Sequence, residues 1–374
     1  MARLVFVVNN PDFLVSHRLV LVRGARAAGY DVHAITPEGP GQRVLKEEGV
    51  ETHSWMLDRK GQGPLVEARS VAALVRLYAR LQPDIVHHVT IKPVLYGSAA
   101  ARLLRRPAVV NAVSGFGYVF LASGAVAEVR RRAIAAAYRV ALSTPRSVVV
   151  LQNDDDEADL RRAGALGSAT VVKIRGSGVD LSRFHASPEP PGPPLVVLPA
   201  RMLRDKGVEE FVEAARRVRA RKPSVRFVLV GGLDPGNPAA VTRAELDTWT
   251  KEGVVEWWGH QTDMPGVFAQ ATVVCLPSYR EGMPKALLEA AAVGRALITT
   301  DAPGCRDAVD GGRAGLLVPV RDAAAIADAV LALVEDPSRR AILARSARLR
   351  AESHFDERAV LAEHLRVYER FARP

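Results

Sequence analysis

Short, mostly apolar runs rich in β-branched residues recur along the chain, most of them giving way to a stretch of helix formers. Leu4–Val8, Tyr30–Ile35, Pro83–Val89, Val109–Val113, Ser147–Gln152 and Thr170–Ile174 are the runs of the first half. Leu195–Pro199, Arg226–Val230, Val254–Trp258, Ala271–Pro277, Ala296–Thr300 and Gly315–Val318 are those of the second. Strands covered on both faces are apolar throughout rather than alternating, and strands joined through helices can pair in parallel. The pattern predicts an α/β protein built twice over. A proline-rich break, Ser187–Pro194 (SPEPPGPP), separates the two halves. The predicted domains are therefore 1–186 and 195–355, joined by a linker at 187–194, with a last helical stretch at 356–374. A chain of 374 residues gives each half enough length for its own core.

Residues 271–294 concentrate the chemistry. The apolar run Ala271–Pro277 passes through the polar turn Ser278–Met283 into Pro284-Lys285-Ala286-Leu287-Leu288-Glu289, with Gly294 just beyond the helix. A strand's carboxyl end feeding a helix start is where open α/β sheets bind ligands. The N–H groups of Gly282, Met283 and Lys285 are suited to a phosphate, because first-turn donors have no partner within the helix. Glu281 and Glu289 stand about two turns apart beside it. Arg201 and Lys206 follow the first strand of the same half, where two cations would meet a diphosphate.

Charge is uneven. Residues 1–186 carry 25 Lys and Arg against 16 Asp and Glu, which accounts for most of the net charge of +10. A basic first half suits an anionic partner. With aromatics at 6% and no recognised nucleic-acid motif, lipid head groups or a lipid diphosphate fit better than nucleic acid. The basic helix Val126–Leu142 has an alanine-rich apolar side, so peripheral electrostatic contact with an anionic membrane is expected rather than insertion. Cys275 and Cys305 form no disulfide framework, and Cys275 belongs to a buried strand. The start MARLVFVVNN lacks the apolar stretch of a signal peptide, so a cytoplasmic location is expected, at the inner face of the cell membrane where that contact is made. His87 and His88 are adjacent on a strand and point to opposite faces, so they cannot share a metal ion. Asp154-Asp155-Asp156-Glu157 follow Asn153 and open a helix, which makes dipole complementation their expected role.

Several of these stretches together resemble the retaining glycosyltransferases of family 4 (group 1), over nearly the whole chain. Glu281 and Glu289 match that family's E-x7-E signature, and Arg201 with Lys206-Gly207 its R-x4-K-G diphosphate motif. Phe13–Arg18 resembles an F-x-x-S-H-R element, Gly176–Asp180 a GSGVD crossover, and Ser114–Tyr118 a glycine-punctuated loop beside the acceptor. His87–Ser98, in the form HxxTIKPxxYGS, resembles a subgroup extending saccharides on undecaprenyl diphosphate.

The resemblance implies a GT-B fold, two Rossmann-like domains facing each other across a cleft, with the last helix crossing back to the first. It implies transfer from a UDP-sugar, an N-acetylhexosamine among the candidates, to a lipid-linked saccharide, with no metal and no cofactor. The implied catalytic residues are Glu281, Arg201, Lys206, His17 and His88. Donor contacts would come from Arg201, Lys206, Gly259, His260, Glu281, Gly282, Met283, Pro284, Lys285 and Glu289, with Glu289 on the ribose. Acceptor contacts would come from Ser16, His17, Arg18, Thr90, Lys92, Gly115 and Tyr118. A glycosyltransferase with a small-molecule acceptor and a nucleotide-sugar epimerase remain alternatives, as does a two-lobed solute-binding protein, which would carry an export signal.

Overall fold

The structure, a computed structural model, describes residues 1–57, 63–105, 107–113 and 125–372. The chain divides into two compact units, Met1–Ser177 with Arg358–Pro374, and Gly178–Glu357.

In the first unit seven strands pair in parallel: β1 (Arg3–Val8), β2 (Asp31–Thr36), β3 (Glu51–Ser54), β4 (Ile85–Val89), β5 (Ala108–Ala112), β6 (Ser147–Leu151) and β7 (Thr170–Lys173), in the order β3-β2-β1-β4-β5-β6-β7. Helices α1 (Pro11–Ala27), α2 (Gly41–Glu47), α3 (Pro64–Leu81), α4 (Ile91–Leu104), α5 (Ala125–Leu142) and α6 (Asp154–Arg162) connect them. The second unit repeats the plan with β8 (Leu195–Pro199), β9 (Arg226–Val230), β10 (Glu256–Gly259), β11 (Val273–Leu276), β12 (Ala296–Thr300) and β13 (Leu316–Val318), ordered β10-β9-β8-β11-β12-β13. Its helices are α7 (Val208–Arg221), α8 (Arg243–Lys251), α9 (Met264–Gln270), α10 (Lys285–Val293), α11 (Cys305–Ala308), α12 (Ala323–Glu335) and α13 (Pro337–His354). The last helix, α14 (Glu357–Ala372), packs almost wholly in the first unit.

The inner strands of each sheet are buried on both faces, which is why most of them are largely apolar, whereas the edge strands β3, β7 and β10 are not. In the second unit Val197, Val228, Val274 and Leu297 turn to one core, while Val196, Leu229, Cys275 and Ile298 turn to the other. In the first unit Leu4, Phe6 and Val8 meet α1 and α14, whereas Val5, Val7 and Val86 meet α3 and α4.

Two boundaries differ from the sequence reading. The chain passes between units at Ser177–Gly178, so the proline-rich stretch 187–194 lies inside the second unit. The buried guanidinium of Arg295 holds it by donating to the carbonyls of Ser187 and Pro188, each at 2.9 Å, and Arg340 pairs with Glu189 at 2.6 Å. Proline there stiffens a docked segment rather than spacing two domains. At the true crossing Gly178 has φ +73°, and a Cβ on it would stand 2.5 Å from the Cα of Glu357. The second difference is the start of α1. Asn10 accepts from the Asp12 N–H at 2.8 Å and Pro11 takes the first helical position, so what reads as a turn is a helix cap. Phe13–Arg18 consequently lies in the helix rather than in a loop before it.

Candidate active site

The second sheet reverses direction between β8 and β11: β9 and β10 continue to one side, β12 and β13 to the other. Loops leaving the carboxyl ends of two strands at such a reversal diverge and leave a crevice for a ligand. The loop after β8 runs through a short 3-10 turn, Arg204–Lys206, and the loop after β11 through Pro277–Pro284. They are sewn together. The Tyr279 N–H donates to the Asp205 carbonyl at 2.9 Å, and the Ser278 hydroxyl to the same oxygen at 3.1 Å. Gly207 sits at the closest approach, with φ +72° and the Pro277 carbonyl oxygen 2.3 Å from where a Cβ would be. On the other side the Glu281 N–H donates to the Pro303 carbonyl at 3.0 Å, and the Thr300 hydroxyl donates to the Ser278 carbonyl. Three successive loops thus form one hydrogen-bonded rim.

The charged side chains are set into that rim. Lys206 Nζ lies 2.5 Å from Glu281 Oε1, with only 18% and 17% of the two side chains exposed. Burial alone would lower the lysine's pKa, but the charge and hydrogen bond of Glu281 outweigh it and the pKa is raised. Lys206 is therefore a fixed cation at neutral pH. Arg201 reaches Asp234 at 2.5 Å and is more open to solvent. Beneath them the Tyr279 hydroxyl donates to Glu210 at 2.6 Å, and the Arg321 guanidinium stands 4.7 Å from the ring centroid. Burial and then Glu210 push the Tyr279 pKa up to about 12, so the phenol stays a donor.

Helix α10 starts at Lys285 with Pro284 as its N-cap, and proline supplies no side-chain acceptor to its first turn. Glu289, one turn in, is buried, and Lys285 Nζ approaches it at 3.2 Å. Burial raises the Glu289 pKa despite the opposing pull of Lys285 and Arg183. Gly259 ends β10 and the exposed His260 follows it; the Gly259 carbonyl accepts from the Gly231 N–H at 2.8 Å. Gly232 in turn accepts from the Met202 N–H at 3.0 Å, which joins this corner to the loop carrying Arg201. The structure therefore brings Arg201, Lys206, Gly259, His260, Glu281–Lys285 and Glu289 to one edge of one sheet. Sequence reading did not single out Asp205, Glu210 or Thr300, whose role is to tie loop to loop; nothing in their spacing marks it.

The first unit treats its expected site residues less evenly. Ser16 is exposed and shares a hydrogen bond with His17 Nδ1 at 2.8 Å, while His17 stacks on Phe13 with ring centroids 4.2 Å apart. Arg18, expected to contact the acceptor, is buried under α14, where burial brings its pKa down to about 10. His88 is a second correction. It is fully buried, Nε2 is 2.8 Å from the Tyr78 hydroxyl and Nδ1 is 2.8 Å from Asn111 Oδ1, so it cannot reach a substrate. Burial drops its pKa to about 4, and its work is to brace β4 against α3. His87 on the opposite face meets Tyr368 of α14 at 2.6 Å, the alternation that a strand imposes. Thr90 caps α4 with φ +77° and a buried hydroxyl lacking a hydrogen-bond partner, and Lys92 pairs with Glu67 at 3.0 Å. Backbone strain of this kind collects at functional positions. Gly115 and Tyr118 lie outside the described residues. The acidic run at Asp154 behaves as a helix start: Asn153 accepts from the Asp156 N–H at 2.7 Å, and Asp154 pairs with Lys173.

Comparison with known proteins supplies the family. Residues 3–150 match the model of the glycosyl transferase 4-like family, and residues 193–336 that of the glycosyl transferases group 1. The chain is a glycosyltransferase whose first half is of the 4-like family and whose second half is of group 1. Among its relatives, this glycosyltransferase is 25% identical over 366 residues to the N,N'-diacetylbacillosaminyl-diphospho-undecaprenol alpha-1,3-N-acetylgalactosaminyltransferase of Campylobacter jejuni, covering 94% of each chain. It is 23% identical over 370 residues to the capsular polysaccharide biosynthesis glycosyltransferase CapM of Staphylococcus aureus, covering 96% and 95%. Its fold is GT-B, shared with Anabaena HepE in complex with UDP and glucose at a TM-score of 0.79, 18% identity and 99% and 100% coverage. Sucrose-phosphate synthase from Thermosynechococcus elongatus gives a TM-score of 0.79 at 19% identity, covering 99% of both chains. Among the described residues, no helix of this glycosyltransferase is long and apolar enough to cross a membrane.

Proposed function

We propose that this glycosyltransferase moves a sugar, an N-acetylhexosamine foremost, from a UDP-sugar to a lipid-diphosphate-linked saccharide and keeps the anomeric configuration. The observation that carries the donor half is the reversal of strand order in the second sheet, with Arg201 and Lys206 in the loop after β8 and the start of α10 following the loop after β11. Leaving-group charge grows on the diphosphate oxygens as the C1–O bond breaks, and fixed cations and N–H groups aimed there lower the barrier. Lys206 is suited to this because its charge and position are already held by Glu281. Glu289 takes the ribose hydroxyls, Gly259 and His260 border the base, and Glu281 faces the donor sugar.

The acceptor half is supported by the Campylobacter relative, whose name specifies an undecaprenyl-diphosphate-linked acceptor and an N-acetylgalactosaminyl group. Ser16, His17, Thr90 and Lys92 are the residues of the first unit we assign to it; Lys92 would have to exchange Glu67 for the acceptor. In the reaction the acceptor oxygen bonds to C1 on the face that the diphosphate leaves. The hydroxyl proton passes to a diphosphate oxygen, so no side chain need serve as base.

The test is incubation with UDP-, GDP- and dTDP-sugars and undecaprenyl-diphosphate-linked or small-molecule acceptors, with product read by mass and anomeric configuration. Turnover with a UDP-sugar and a lipid-linked acceptor, giving a retained linkage, is expected. Absence of turnover with every UDP-sugar overturns the donor, and an inverted linkage overturns retention. Conversion of a UDP-sugar without an acceptor would identify an epimerase instead.

A further inference from the structure

At the outer edge of the first sheet, away from every residue assigned above, four titratable side chains share one face of β2 and β3. His33 pairs with Glu51 in the register of these strands, His53 lies two residues beyond Glu51, and Asp31 two residues before His33. A spacing of two keeps side chains on one face of a sheet. Both histidines are buried, and Glu51 opens to solvent. Among the described residues, His33, Glu51 and His53 are the one group of three or more potential ligands whose donor atoms all lie within 4.8 Å of one another.

We propose that His33, His53 and Glu51 bind a divalent metal ion of the zinc class, with Asp31 as the outer partner of His33. The distances suit it. His33 Nδ1 stands 3.0 Å from His53 Nε2 and 3.6 Å from Glu51 Oε2, and His53 Nε2 stands 3.7 Å from Glu51 Oε1. Two ligand atoms at zinc's usual bond lengths and a tetrahedral angle are about 3.3 Å apart. Two imidazoles and one carboxylate favour zinc over calcium or magnesium, which take oxygen ligands. A metal-bound histidine commonly donates its other ring N–H to a carboxylate, and His33 Nε2 is 3.1 Å from Asp31 Oδ1. Without the ion, His33 Nδ1 and His53 Nε2 hydrogen-bond to each other. Binding requires His53 to carry its proton on Nδ1, where Arg80 Nη2 now donates at 3.3 Å; Arg80 is exposed and swings aside. The ion would clamp the edge strand β3 to β2, with Glu51 and one water facing solvent.

The experiment is titration of zinc into tag-free, chelator-stripped protein against a chromogenic competitor, followed by X-ray absorption at the zinc edge. One equivalent is expected, with histidine nitrogen and carboxylate oxygen in the first shell. His33→Gln and His53→Gln should weaken binding at least a hundredfold, and Asp31→Asn about ten- to a hundredfold. His354→Gln, at the far end of α13, should leave it unchanged, and Arg80→Ala should retain or tighten it. Glu51→Gln decides the matter without disturbing the core, because that side chain is exposed. Zinc held as tightly by Glu51→Gln as by the parent, or no retained zinc in the parent, overturns the proposal.

Discussion

Lys206 and Glu281 hold each other in a site that excludes most water, so removing one alters the other. Lys206→Met should lower kcat by about 10²–10³-fold if the cation stabilises leaving-group charge. It should also cost about 1–3 kcal/mol in denaturant unfolding, because a largely buried carboxylate loses its partner. The double variant Lys206→Met/Glu281→Gln should recover much of that stability and none of the activity, which separates a fold effect from a catalytic one. Glu289 offers the opposite trade. Its folded pKa is raised by burial, so the ionised form opposes folding: the stability it contributes is present at low pH and lost as pH rises through the folded pKa. Glu289→Gln should therefore melt higher than the parent at pH 7, with the gap closing as pH falls through that pKa, while calorimetry shows weaker UDP binding. At this scale the sequence was readable for position: Arg201, Lys206 and Glu281 fall in the loops after β8 and β11, and Glu289 in the helix that follows. It misled for Arg18 and His88, whose types suggest chemistry and whose burial forbids contact. Burial there is imposed by α14 and α3, elements distant in sequence, and no local pattern reports it.

The elements themselves were largely legible. The runs at Leu195–Pro199, Arg226–Val230 and Ala296–Thr300 coincide with β8, β9 and β12, because strands covered on both faces leave an uninterrupted apolar signature. Strand β3, Glu-Thr-His-Ser, has no such signature and was not anticipated; an edge strand can be short and polar. Equally hidden was the sewing of loops after β8, β11 and β12, which depends on backbone carbonyls and one glycine. Gly207→Ala tests it: the positive φ and the Pro277 carbonyl leave no room for a methyl group. The substitution should cost roughly 1–3 kcal/mol in denaturant unfolding. It should also reduce kcat more than it raises KM for the acceptor, since the displaced atoms carry Lys206 and Glu281.

At the level of the whole chain, the two-part division was visible in the repeated strand pattern, but its seam was not. Proline content marked 187–194, whereas the crossing is at Gly178, where close contact with Glu357 demands glycine. The return of α14 to the first unit puts Val360, Val367 and Tyr368 against Phe6 and the His87 face of the first sheet. Tyr368→Ala should cost the first unit about 3–5 kcal/mol, the range for emptying a large aromatic site. Calorimetry should show that loss in one transition, with the unfolding of residues 178–357 unmoved. The same helix sets the order in which the molecule can be assembled on a ribosome. Nascent chains generally fold in the order they emerge, yet here the segment that completes the earlier-made half is translated only after the whole of the later one. The intervening half is continuous and can close at once, while the leading one waits with one face of its sheet covered by α1 but not yet by α14, and in that interval it has most need of a chaperone.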